Sequence, residues 1–71
     1  MARRKILRPG DEFRVGDRVR YPLPRGVLEA VIVRDDGDIG VNGRRMLLLR
    51  GLTEYMEDTF MSPAEILLPA N

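Results

Sequence analysis

The side chains able to do chemistry in this chain are its arginines and its carboxylates. His and Cys are both absent. That removes the imidazole base, the thiol nucleophile and the usual nitrogen and sulfur metal ligands. Ser62 precedes Pro63-Ala64-Glu65, which makes it a helix cap rather than a nucleophile. Asp35, Asp36 and Asp38 lack the spacing and the closing Glu of a calcium loop, and read as a turn around Gly37. Glu54, Glu57 and Asp58 could recruit a metal, but a solvated acidic face is the simpler reading. Gly37, Gly40 and Gly43 match a phosphate loop in number only, because they fall in a hairpin. No catalytic, metal-binding or cofactor-binding residue is assigned, and the chain reads as non-enzymatic.

The arginines offer more. Of the 12 basic residues only Lys5 is lysine. A guanidinium grips carboxylate or phosphate through a planar fork; a GC-rich genome produces the same bias with no function behind it. The net charge of +1 hides an asymmetry. Residues 1–25 carry eight basic and three acidic side chains; residues 26–71 carry four and eight. Arg3, Arg4, Lys5 and Arg8 flank Ile6-Leu7 ahead of the breaker Pro9-Gly10. Residues 1–10 are therefore expected to form a basic arm, and residues 11–71 the folded domain. The arm is either a solvated terminus or a contact for nucleic acid or an acidic partner.

A second set of arginines needs a strand to position it. From Phe13 to Tyr21, apolar and basic residues alternate. The pattern predicts a strand with Phe13, Val15, Val19 and Tyr21 on one side and Arg14, Arg18 and Arg20 on the other. Gly16-Asp17 marks a bend, and Pro22 and Pro24 end the strand. Val27–Val33 is β-branched and apolar on both faces, hence a central strand with Glu29 toward the arginines. Ile39-Gly40-Val41 predicts a short strand. Asn42-Gly43 then predicts a two-residue hairpin turn into a strand over Arg44–Arg50. Residues 51–58 fit a loop or a helical turn. Thr59-Phe60-Met61 reads as a strand, Ser62–Glu65 as the start of one 3₁₀ turn, and Ile66-Leu67-Leu68 as the last strand.

These elements predict an all-β fold, a small five-stranded SH3-like barrel with one 3₁₀ turn before the last strand. An open antiparallel sheet completed by a dimer is the second architecture. The run Phe13-x-Val15-Gly16-Asp17-x-Val19-x-Tyr21-Pro22, with Gly26-Val27, resembles the opening of the Tudor-like domains in CarD and transcription–repair coupling factors. Phe60 to Leu68 is similar to their last strand, turn and strand. That resemblance implies a module that binds RNA polymerase through a sheet edge. The family's helical DNA-binding domain has no counterpart here. A related opening occurs in the SH3-like tail of some helicases. Type II dihydrofolate reductases share a Gly-Asp-Arg-Val-Arg opening, matched by Gly16 to Arg20, but their Val-Gln-Ile-Tyr run is missing.

The function expected is a small adaptor docking another macromolecule. A protein partner would meet Arg18, Arg20, Tyr21 and Leu23, with further apolar contacts such as Tyr55. A nucleic acid would meet Arg3, Arg4, Lys5, Arg8, Arg14, Arg18 and Arg20. Few aromatics are available to stack on bases. A third alternative is a homo-oligomer whose interface supplies missing core. No apolar run approaches the about 20 residues of a membrane span. Lack of Cys fits a reducing cytoplasm.

Overall fold

The structure, a computed structural model, describes residues 8–52 and 58–70. Its elements are β1 (Arg18–Leu23), β2 (Gly26–Gly37), a first 3₁₀ turn (Val41–Gly43), β3 (Met46–Gly51), β4 (Thr59–Pro63), a second 3₁₀ turn (Ala64–Ile66) and β5 (Leu68–Pro69), so there are two 3₁₀ turns where one was expected. All strand pairs are antiparallel, and the spatial order is β4-β3-β2-β1-β5. The described residues form an open five-stranded sheet, not a closed barrel. No α-helix occurs among them, and none of their helices is long and apolar enough to cross a membrane.

One face of the sheet makes the core. Val19, Ala30, Ile32, Leu47 and Leu49 alternate inward from β1, β2 and β3, with Phe13, Ala64 and Leu67 closing over them. Each such side chain contributes about 1.5–3 kcal/mol on burial, so a handful carries this small fold. Tyr21 and Phe60 pack against the cluster as an edge-to-face pair, centroids 5.1 Å apart at 78°. Central position explains β2's apolar character: it pairs with β1 on one side and β3 on the other.

Several element limits differ from expectation. β1 begins at Arg18, not Phe13. The chain reverses over Arg14–Asp17, where Asp17 N donates to Arg14 O at 3.0 Å and Asp17 Oδ2 accepts from Arg14 N at 2.9 Å. Gly16 takes φ 96° there, a value L side chains resist. Val15 is thereby left exposed, while Phe13 is buried. At its other end β1 runs through Pro22 to Leu23, and Pro24-Arg25 is a two-residue connection to β2. Pro22 is tolerated because β5 pairs only with Val19 and Arg20 and does not reach it.

The aspartate turn is absent as such. β2 continues through Asp35 and Asp36 to Gly37, with register shifts after Ile32 and after Asp35. Asp35 does bond the backbone two residues on, accepting from Gly37 N at 3.0 Å. Residues 39–41 form no strand. Asn42 (φ 61°, ψ 29°) and Gly43 (φ 73°) do take the expected left-handed pair. The turn closes on Gly40 and Arg44 rather than on a ladder: Gly43 N donates to Gly40 O, and Gly40 N to Arg44 O. Ser62 is no cap either. It is fully buried within β4, its hydroxyl donating to Pro63 O at 3.1 Å. A 3₁₀ turn does precede the last strand, but over Ala64–Ile66, so Ile66 belongs to the turn and the last strand is Leu68–Pro69 rather than Ile66–Leu68.

Candidate functional site

The outer face of the sheet carries the candidate site. Alternation places Arg18 and Arg20 of β1, Glu29 and Val31 of β2, and Leu48 and Arg50 of β3 opposite the core-facing residues. Register then sets Arg18 beside Val31, and Val31 beside Arg50. Two guanidiniums thus flank one half-buried valine, their strands roughly 9–10 Å apart. Arg20 stands opposite Glu29. Among the described residues no salt bridge involves Arg18, Arg20 or Arg50.

The charges around Arg18 are mixed. It lines a cleft of about 440 Å³ with Glu12, Asp17 and Glu29, floored by Phe13 and Pro69. Three carboxylates around one guanidinium would repel a phosphate backbone.

The sequence-derived site residues separate onto different surfaces. Arg18 and Arg20 share the outer face. Tyr21 lies on the core side, half-buried against Phe60. Leu23 is exposed at the tip of the β1–β2 hairpin. Arg14 leaves the arginine row altogether, because its Nη1 donates to Asp11 O at 2.7 Å and Phe13 O at 3.1 Å. Arg8, expected in a free arm, is fastened to the β2–β3 loop through Asp38 (3.3 Å) and Gly43 O (3.5 Å). Gly10 packs so closely that a Cβ there would meet Ala64 O at 2.2 Å. Arg3, Arg4, Lys5 and Tyr55 lie outside the described residues.

Two features escape the sequence reading. Arg50 joins the outer face only through cross-strand register. Arg45 is a staple: its side chain is 14% exposed. It donates to Gly10 O (3.1 Å), Asp11 O (3.5 Å), Phe13 O (2.7 Å) and Asp35 Oδ2 (2.9 Å). The hydrogen bond from Arg45, followed by that from Gly37 N, holds the Asp35 carboxyl below its usual range. Asp36 is likewise lowered by its hydrogen bond from Arg34, whose guanidinium is raised in turn.

A polar cleft of about 290 Å³ beside the staple contains Arg8, Arg44 and Arg45. Each already has a carboxylate partner: Asp38, Glu65 and Asp35. It is a closed charge network rather than an anion site. Among the described residues no three carboxylates gather as metal ligands would. Comparison with known protein families, characterised proteins and solved structures finds no match for this chain.

Proposed function

We propose that the protein is a non-enzymatic docking module that binds another protein through the outer face of its sheet. The observation that carries this is the row Arg18–Val31–Arg50, two arginines without salt bridges among the described residues around a half-buried apolar centre. A protein surface, unlike a phosphate backbone, can match the mixed charge: a carboxylate against Arg50, basic side chains against Glu12, Asp17 and Glu29, and an apolar side chain over Val31. Mixed charge on both sides then fixes register and rejects wrong partners.

An SH3-like strand order, left open rather than closed into a barrel, is the fold this reading carries. It is supported by short antiparallel strands, by β1 pairing with both β2 and β5, and by the 3₁₀ turn before β5. The resemblance to the polymerase-binding Tudor-like domains makes transcription machinery a partner class to test first. A cytoplasmic location goes with that proposal.

Nucleic acid is the competing ligand, through Arg3, Arg4, Lys5, Arg8 and the outer face. The carboxylates beside Arg18 and the engagement of Arg8 and Arg14 favour protein. Fluorescence anisotropy with duplex and single-stranded oligonucleotides at two ionic strengths separates the two. The protein reading expects no binding at low salt. Tight, steeply salt-dependent binding would replace it with a phosphate-binding function.

A further inference from the structure

The Asn42-Gly43 turn carries a reaction as well as a conformation. An asparagine followed by glycine can close a five-membered ring on itself. The glycine's backbone nitrogen attacks the asparagine's side-chain carbonyl carbon, a C–N bond forms, and the amide nitrogen leaves as ammonia. Water then opens the cyclic imide at either carbonyl, giving aspartate or isoaspartate. Gly43 suits the attack because no Cβ crowds its nitrogen. Both residues are exposed to water. Asn42 is the only side-chain amide followed by glycine: the chain has no glutamine, and its other asparagine is Asn71. The closed turn holds the reaction back. Ring closure needs Gly43 N on the side of the Asn42 Cα–C bond where Cβ lies, and at ψ 29° it stands nearly opposite. The Gly43 N–H also donates to Gly40 O at 3.0 Å, and attack needs that proton gone. Gly40 N donates in turn to Arg44 O at 2.9 Å. Arg8 ties the loop from outside, reaching Gly43 O at 3.5 Å and Asp38 Oδ1 at 3.3 Å. The turn must therefore open before it reacts.

We propose that Asn42 is a deamidation site gated by opening of this loop, with Arg8 as the latch. Water is the only other reactant, and ammonia is the only group lost. The product falls among charges that respond to it. Asn42 lines the cleft that contains Arg8, Arg44 and Arg45, and one added carboxylate there takes the formal net charge from +1 to zero. An aspartate carboxylate competes with Asp38 for Arg8. Isoaspartate puts Cβ into the main chain, which displaces Gly43 and breaks its bonds to Gly40 O and to Arg8. Either product alters what fastens Arg8 to the β2–β3 loop, so transient opening leaves a lasting change.

Mass spectrometry of the full chain, incubated in mildly alkaline buffer, tests this. Trypsin cuts after Arg34 and Arg44 and isolates Asn42 in the peptide of residues 35–44. That peptide is expected to gain the mass of amide-to-acid conversion, about ten- to a hundredfold more slowly in the folded chain than in guanidinium chloride. Arg8→Ala should raise the folded rate about two- to fivefold, the worth of an exposed contact, and raise hydrogen exchange at the Gly43 amide by the same factor. Arg8 is exposed, so the variant is expected to keep the wild-type circular dichroism spectrum. Should it unfold, Asp38→Ala removes the same tether from the other side. Equal rates in folded and unfolded chains would overturn the proposal. So would a folded chain with no conversion over about a hundred unfolded-state half-lives, or a rate that loss of the tether leaves unchanged.

Discussion

Among the described residues, Arg45 donates to more main-chain carbonyls than any other charged side chain. Exposed ion pairs are worth little, and Arg34–Asp36 and Arg44–Glu65 are of that kind. Arg45 instead holds three main-chain carbonyls and a carboxylate from a largely shielded position. Its removal leaves those acceptors short of a donor. Arg45→Met is predicted to cost about 2–3 kcal/mol, read from urea unfolding, whereas Arg34→Met should leave the midpoint close to wild type. Equal effects would show that the staple is ordinary surface charge. The sequence could not reveal Arg45, because its carbonyl partners lie 32 to 35 residues away and no side-chain motif marks a carbonyl.

Asp35 carries a pH signature of the same staple. Its folded pKa lies below the unfolded one. Its stabilisation is therefore complete above the unfolded value, near 4, and is lost as pH falls through the folded value. Asp35→Asn is predicted to lower the urea midpoint at pH 7 and to differ less from wild type at pH 3. A deficit of the same size at both pH values would contradict it.

At the scale of elements, the backbone conformation of one turn was legible, and the limits of strands and other turns were not. Asn42-Gly43 adopts the conformation its residues prescribe. Gly43→Val is predicted to destabilise the domain by at least ~1 kcal/mol, through strain alone, since open space surrounds a Cβ there. Gly10→Ala should cost about 2 kcal/mol or more, because its Cβ would collide with the Ala64 carbonyl as well as strain a φ of 90°. Similar midpoints for Gly10→Ala and wild type would mean that Arg8–Asp11 is not docked on the second 3₁₀ turn. Asp35-Asp36-Gly37-Asp38 misleads because local turn chemistry is overridden by tertiary partners: Arg45 and Arg34 keep two of these aspartates in a bulged strand. The run from Phe13 to Tyr21 misleads differently. Its alternation spans a reverse turn, and only the half after Asp17 is strand.

Over the whole molecule, the all-β class and the inward place of Val19 follow from residue patterning, whereas Ile32, Leu47 and Leu49 are set apart only by the sheet, because β2 is apolar on both faces in sequence and Met46 to Leu49 is one apolar run. The arginine face was half legible. Alternation gives Arg18 and Arg20, but Val31, Leu48 and Arg50 join them only once three strands are in register. Tyr21 stands apart from them on the core side, as alternation along the strand requires. That composite face is the central claim, and a photo-crosslinking amino acid at Val31 tests it in the cell. The account predicts one dominant protein adduct, lost when Arg18→Glu and Arg50→Glu are added and absent when the crosslinker replaces Val15, which is exposed outside the sheet. An adduct that survives those two charge reversals, or a nucleic-acid adduct in its place, would contradict it.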